Sequence, residues 1–164
     1  MIRACDVRRG GGAGGLLLAA YCLALCTSGA SAAEPSRDEL IQKLQRDLTG
    51  VKLVGRFTVT GKENGNPRPE EYTISRATKL PEGDTWLIQA RIKYGDKDVT
   101  VPVPVEIKWA GDTPVITLTN LTLPGLGTFT SRVVVYEGRY AGTWQHGEVG
   151  GHLFGTIEKL PEGP

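Results

Sequence analysis

From Val99 to Trp109 every second residue is apolar: Val99, Val101, Val103, Val105, Ile107 and Trp109 alternate with Thr100, Pro102, Pro104, Glu106 and Lys108. Side chains alternate between the two faces of a strand, so this period specifies a β-strand with one buried face. A helix would scatter the same residues around its circumference. The prolines add a second constraint. Residues two apart in a strand aim their backbone groups at the same neighbour, so Pro102 and Pro104 remove two ladder donors on one side. A free edge or a gap is expected around residues 100–104, unless the prolines lie in a bulge or an extended linker.

The same alternation recurs along the chain. Val51, Leu53, Gly55, Phe57 and Val59 share one parity, as do Trp86, Ile88, Ala90, Ile92 and Tyr94. Extended patterns also run over 72–78, 115–123, 128–136, 140–145 and 151–159. Between them lie the polar loop 62–69, the turn 80–84, Gly95-Asp96 and the turn 111–114. Eight short strands with tight turns predict an all-β fold, an antiparallel meander closed as a barrel or stacked as a sandwich. Lys-Leu-Pro-Glu-Gly occurs at 79–83 and again at 159–163, but the flanking residues differ, which indicates shared turn chemistry and not a repeat. Only one helix is expected. Ser36-Arg37-Asp38-Glu39 has the form of a capping box, and Leu40, Ile41, Leu44 and Leu48 follow at helical spacing. The spacing predicts an amphipathic helix over 36–48, stopped near Gly50. Its polar face mixes charges, which favours docking on the β core over a membrane surface.

Met1 to Ala33 has the three parts of a secretory signal: Arg3, Arg8 and Arg9, then an apolar run from Leu16 to Leu25, then Ala30-Ser31-Ala32. The mature chain is expected to start at Ala33 or Glu34, secreted or periplasmic, as a single domain over 34–164 with no transmembrane span. Cys26 follows Leu25 where a lipoprotein signal wants a small residue, Arg8-Arg9 is only a partial twin-arginine motif, and Gly10, Gly12 and Gly15 lack the strand a nucleotide loop needs. All three cysteines, Cys5, Cys22 and Cys26, fall in this segment. The remainder therefore has neither a disulfide framework nor a thiolate, and must be held by its core. It carries 16 basic and 17 acidic residues with no basic stripe, which argues against nucleic acid as a partner.

The chemistry-capable residues concentrate between Tyr140 and Ile157. His146, Glu148 and His152 are suitable ligands for zinc or another borderline ion. With a loop from Gly147 to Gly150, however, Trp144 would face Leu153, Gly142 would face Gly155 and Tyr140 would face Ile157. That register forms one apolar face and sends the two histidines to opposite sides, so neither a metal site nor a cofactor is expected. Facing glycines at 142 and 155 would mark a bend, a space filled by the helix or a large side chain, or room for a small ligand. Tyr140, Gly142, Trp144 and Gly155 are the candidate ligand-binding residues. Elsewhere, Asp96-Lys97-Asp98 is better explained by a hairpin turn than by calcium. Glu70 and Glu71, being adjacent, cannot act as a carboxylate pair on a strand. Asn120-Leu121-Thr122 is a glycosylation sequon, meaningful in a eukaryotic host.

Tyr140-Ala-Gly-Thr-Trp144 with Gly150-Gly151-His152-Leu-Phe-Gly155 resembles the end of small secreted bacterial proteins of unknown function. Gly142-Thr143-Trp144 is similar to the G-x-W of lipocalin and avidin-type barrels, where it lies on the first strand; here it lies on the seventh. The resemblance implies a calycin-like barrel. The expected function is non-catalytic: a binding module for a small apolar ligand or an envelope protein partner. The alternatives are an accessory envelope domain without a ligand, and a metal-dependent hydrolase built on the C-terminal hairpin.

Overall fold

A computed structural model describes residues 34–62 and 66–161, so residues 1–33, where a signal segment is expected, and the three cysteines lie outside the described residues. Helix α1 (Arg37–Asp47) is followed by β1 (Val51–Phe57), β2 (Arg68–Lys79), β3 (Thr85–Tyr94), β4 (Lys97–Ala110), β5 (Thr113–Leu123), β6 (Gly127–Tyr136), β7 (Arg139–His146) and β8 (Val149–Lys159). Each strand pairs antiparallel with the next, and β8 returns to β1, so the meander is a closed eight-stranded barrel and not a sandwich. The inner parity is apolar: Leu53, Ile74, Ile88, Val103, Ile107, Val133 and Leu153 are all buried. The outer wall carries ion pairs such as Lys52–Glu71 at 3.3 Å and Arg91–Asp98 at 2.7 Å. Polar outside and apolar inside is the reverse of a membrane-spanning barrel.

Helix α1 begins as its sequence indicates. The Ser36 hydroxyl accepts from the Glu39 amide, and the Glu39 carboxylate accepts from the Ser36 amide at 2.7 Å. Gly50, at φ +66°, turns the chain into β1. Leu44 and Leu48 are buried at the end of the barrel where β1 starts, with Val51, Ala77, Trp86 and Ile107 in the same core cluster. Arg37 stacks over the Trp109 ring at 5.0 Å, and Lys159 donates to the Arg46 carbonyl. The helix thus closes one end, and the opposite end is a mouth.

The seam at the prolines is present. β4 pairs with β3 along Lys97–Glu106, but with β5 only from Glu106 to Ala110. The Ile107 amide donates toward β3, to the Asp84 carbonyl, so even-numbered residues of β4 turn their backbone groups the other way. Pro102 and Pro104 therefore point their missing donors at the side that has no partner strand. Bulges between Ile74 and Arg76 and between Leu118 and Leu121 help to bend the sheet into closure.

The C-terminal hairpin corrects the expected register. Its turn is two residues, Gly147-Glu148, with Gly147 at φ +59°. Trp144 accordingly faces Gly151, Gly142 faces Leu153 and Tyr140 faces Gly155. A glycine with positive φ at the first turn position supports the tight two-residue connection. The error is a slip of two residues, which keeps every side chain on its face and so is invisible to apolar patterning.

Candidate functional site

One inward-facing row organises the interior. Tyr140 on β7 is in register with Gly155 on β8, Gly155 with Gly55 on β1, and Gly55 with Glu70 on β2. The two glycines leave a flat trench on the inner wall, and the Tyr140 ring lies along it. A Cβ on Gly155 would meet the ring, and a Cβ on Gly55 would meet the hydroxyl. The hydroxyl then reaches Glu70 and donates to Oε1 at 3.0 Å. From the same strand as Glu70, the Tyr72 hydroxyl donates to Oε2 at 2.7 Å. The result is a buried carboxylate clasped by two phenols, with Glu70 only 5% exposed.

Removal from water raises the pKa of Glu70 above the ordinary carboxylate value, and the two hydroxyl donors pull it partly back. Burial, and then the neighbouring Glu70 charge, push the Tyr140 hydroxyl far above its usual value, so it remains a donor. Among the described residues no lysine, arginine or histidine forms an ion pair with Glu70. Its neighbour Glu71 points outward and pairs with Lys52, as adjacency on a strand requires.

Beside this clasp lies an apolar cavity of about 180 Å³. Tyr72, Tyr140, Trp144, Phe129, Ile88 and Leu153 are among the residues that bound it. An open cleft of about 1200 Å³ occupies the mouth, bounded by Glu70, Gly55, Phe57 and five cations, Arg56, Lys62, Arg68, Lys93 and Lys97. Phe129 and Trp144 border both spaces. Trp144 is held by its indole N–H, which donates to the Thr58 carbonyl at 3.1 Å, and by an edge-on contact with Phe57 at 5.7 Å between centroids. That carbonyl sits where a Cβ of Gly151 would be, so Gly151 is the residue that lets β1 approach.

The four candidate ligand-binding residues all lie on the inner parity of β7 and β8, but they play different parts. Tyr140 and Trp144 border the cavity. The space beside Gly155 is taken by the Tyr140 ring and the Val54 carbonyl. The space beside Gly142, which was expected to face Gly155, is taken by the Arg132 carbonyl of β6. Its glycine thus serves close strand approach. His146 lies on the inner parity at the mouth, its ring 4.6 Å from that of Phe129. His152 is on the outer parity opposite Thr143, and Glu148 is exposed in the turn. Among the described residues no three histidine, cysteine or acidic side chains come together as a metal site. Asp98 is engaged by Arg91, with hydrogen bonds of 2.7 Å to each carboxylate oxygen.

Glu70 was missed by sequence reasoning as a member of the site. The signal was present: Glu70, Tyr72 and Ile74 share a parity, which puts a carboxylate on an otherwise apolar face. Taking the strand to start at Tyr72 hid it. No protein-family model, no curated protein and no solved structure matches this chain.

Proposed function

We propose that this protein is a non-catalytic binding module, exported to the periplasm or secreted, that takes a small apolar ligand into its barrel. The observation that carries the reading is the cavity of about 180 Å³ bounded almost entirely by apolar side chains. Barrels of this size are commonly filled by their own side chains, so an interior space with an open mouth above it is a feature to be explained. Export rests on the three-part segment Met1–Ala33, and a calycin-like relationship rests on Gly142-Thr143-Trp144 in an eight-stranded meander. A protein partner is the second reading. It is supported by the exposed apolar residues Phe154, Val134 and Tyr136 on the outer wall.

Calorimetric titration with 2-phenylethanol tests the first reading. Saturable one-to-one binding is expected in the wild type. Ala90→Phe fills the cavity from its wall and is expected to abolish the binding while the protein stays folded. An absence of binding in the wild type, or unchanged binding in the variant, would overturn the reading.

A further inference from the structure

We infer that the ligand's polar end is an ammonium group seated on Glu70, so that the barrel selects small amphipathic amines. The inference rests on the binding reading above and names the chemistry of that same site. Three observations converge on it.

The first is charge. A carboxylate withdrawn from water is normally paired with a cation, because hydroxyl donors alone stabilise it without neutralising it. Glu70 has two phenol donors and, among the described residues, no cationic partner. An ionised carboxylate offers about four lone-pair directions, and the tyrosines use two. No other hydrogen bond to the carboxylate is made among the described residues, which leaves acceptor capacity for a donor that also brings positive charge.

The second is position. The tyrosines that touch Glu70 border the inner cavity, while Glu70 itself borders the mouth. The carboxylate therefore stands where the two spaces meet. A ligand with its apolar body in the cavity has its head at Glu70. The volume of about 180 Å³ suits a phenyl ring with a short alkyl arm, given that an engineered apolar cavity of about 150 Å³ in another protein holds benzene.

The third is the character of the walls. Phe129 and Trp144 border both spaces, and Tyr72 and Tyr140 add two more rings at the junction. Aromatic faces attract cations, and more strongly where water is excluded. Arg56, Lys62, Arg68, Lys93 and Lys97 around the rim oppose the approach of a cation. Lys93, however, is paired with Glu71 and Asp98, and the other four heads are exposed and solvated, so they act on entry more than on the seated ligand.

Three probes of one shape separate the possibilities: 2-phenylethylammonium, 2-phenylethanol and phenylacetate, titrated into wild type and Glu70→Gln at neutral pH. Glutamine keeps an acceptor for the tyrosines and removes the charge. The ammonium is expected to bind about tenfold tighter than the alcohol in the wild type, a preference that falls to about unity in E70Q. Equal affinities for ammonium and alcohol in the wild type would overturn the amine assignment and leave the apolar-ligand reading standing. Tightest binding of phenylacetate would overturn it in favour of the rim cations. Binding of none of the three would remove both. Persistence of the ammonium preference in E70Q would also overturn the assignment to Glu70. The comparison within the wild type needs no variant, so the inference stays exposed to test even where E70Q does not fold.

Discussion

Tyr140 reaches Glu70 across the two strands that separate them, because the residues between them in that row are both glycine. The hydrogen bond joins residues seventy positions apart and ties β7 to β2 through the interior. It exists only while the trench is empty of side chains, which makes the two glycines as much a part of the clasp as the phenol.

Gly55→Ala and Gly155→Ala should therefore each destabilise the protein. Each new methyl would meet Tyr140 and a backbone carbonyl of the neighbouring strand, Phe154 in the first case and Val54 in the second. Overpacking of this kind costs about 1–3 kcal/mol, and backbone contacts place these sites toward the upper end. Urea denaturation measures it. A loss below about 0.5 kcal/mol in either variant would show that the trench is not closed as described.

Glu70 should make stability fall as pH rises. The fold raises its pKa, so the folded chain holds the proton more tightly than the unfolded chain does. The contribution of neutral Glu70 is fully present below the ordinary carboxylate range and is lost as pH climbs through the raised folded value. Glu70→Gln removes this loss, so its stability relative to wild type should improve with pH and converge toward acid. Glu70→Ala should instead cost about 1–3 kcal/mol, because the buried Tyr140 hydroxyl and the part-buried Tyr72 hydroxyl lose this acceptor. Parallel urea titrations at acid and neutral pH give both numbers. A relative stability of E70Q that is flat with pH would contradict the raised value.

Trp144→Ala should cost about 2–4 kcal/mol, less than a wholly buried tryptophan would, because the ring is only part-buried. The loss includes the edge contact with Phe57 and the bond to the Thr58 carbonyl. Trp144→Phe keeps one aromatic ring but loses the bond and the five-membered part of the indole, so it should recover only part of that. Chemical denaturation of both variants measures it, and a loss below about 1 kcal/mol for Trp144→Ala would show that the ring contributes little packing.

The helix closes the barrel through Leu48, whose side chain is fully buried. Leu48→Ala should cost about 2–5 kcal/mol. Ser36→Ala removes the N-cap acceptor and should cost about 1 kcal/mol. A thermal melt of each variant checks the order, and a larger effect for Ser36 would mean that the helix contributes little packing.

The strands, the helix with its capping box, and the seam at Pro102 and Pro104 were legible because each is written in local pattern: period two, helical spacing, and missing amide donors. The hairpin register was not, since a slip of two residues leaves the same faces buried and only turn geometry at Gly147 distinguishes the choices. Closure was left open between barrel and sandwich because it depends on β1 meeting β8, a pairing of distant segments that no local period encodes. The Glu70 clasp escaped for the same reason. Its partner Tyr140 is adjacent only once β7, β8, β1 and β2 stand side by side. Tyr140 and Trp144 were found because aromatic residues on an inward parity are a local signal.

The proline-bearing seam also bears on how the chain survives crowding. An unpaired strand edge is a template on which a second molecule can add its own strand. Along the seam, the backbone positions of β4 that face outward from β3 include Pro102 and Pro104, and neither offers an amide to a visiting chain. A newcomer would find acceptors there but an interrupted row of donors, and its ladder would fail within a few residues. The opening in the wall is thus also its own guard against chain-to-chain growth, a safeguard worth most while the barrel is still assembling and its last pair, β8 on β1, has yet to form.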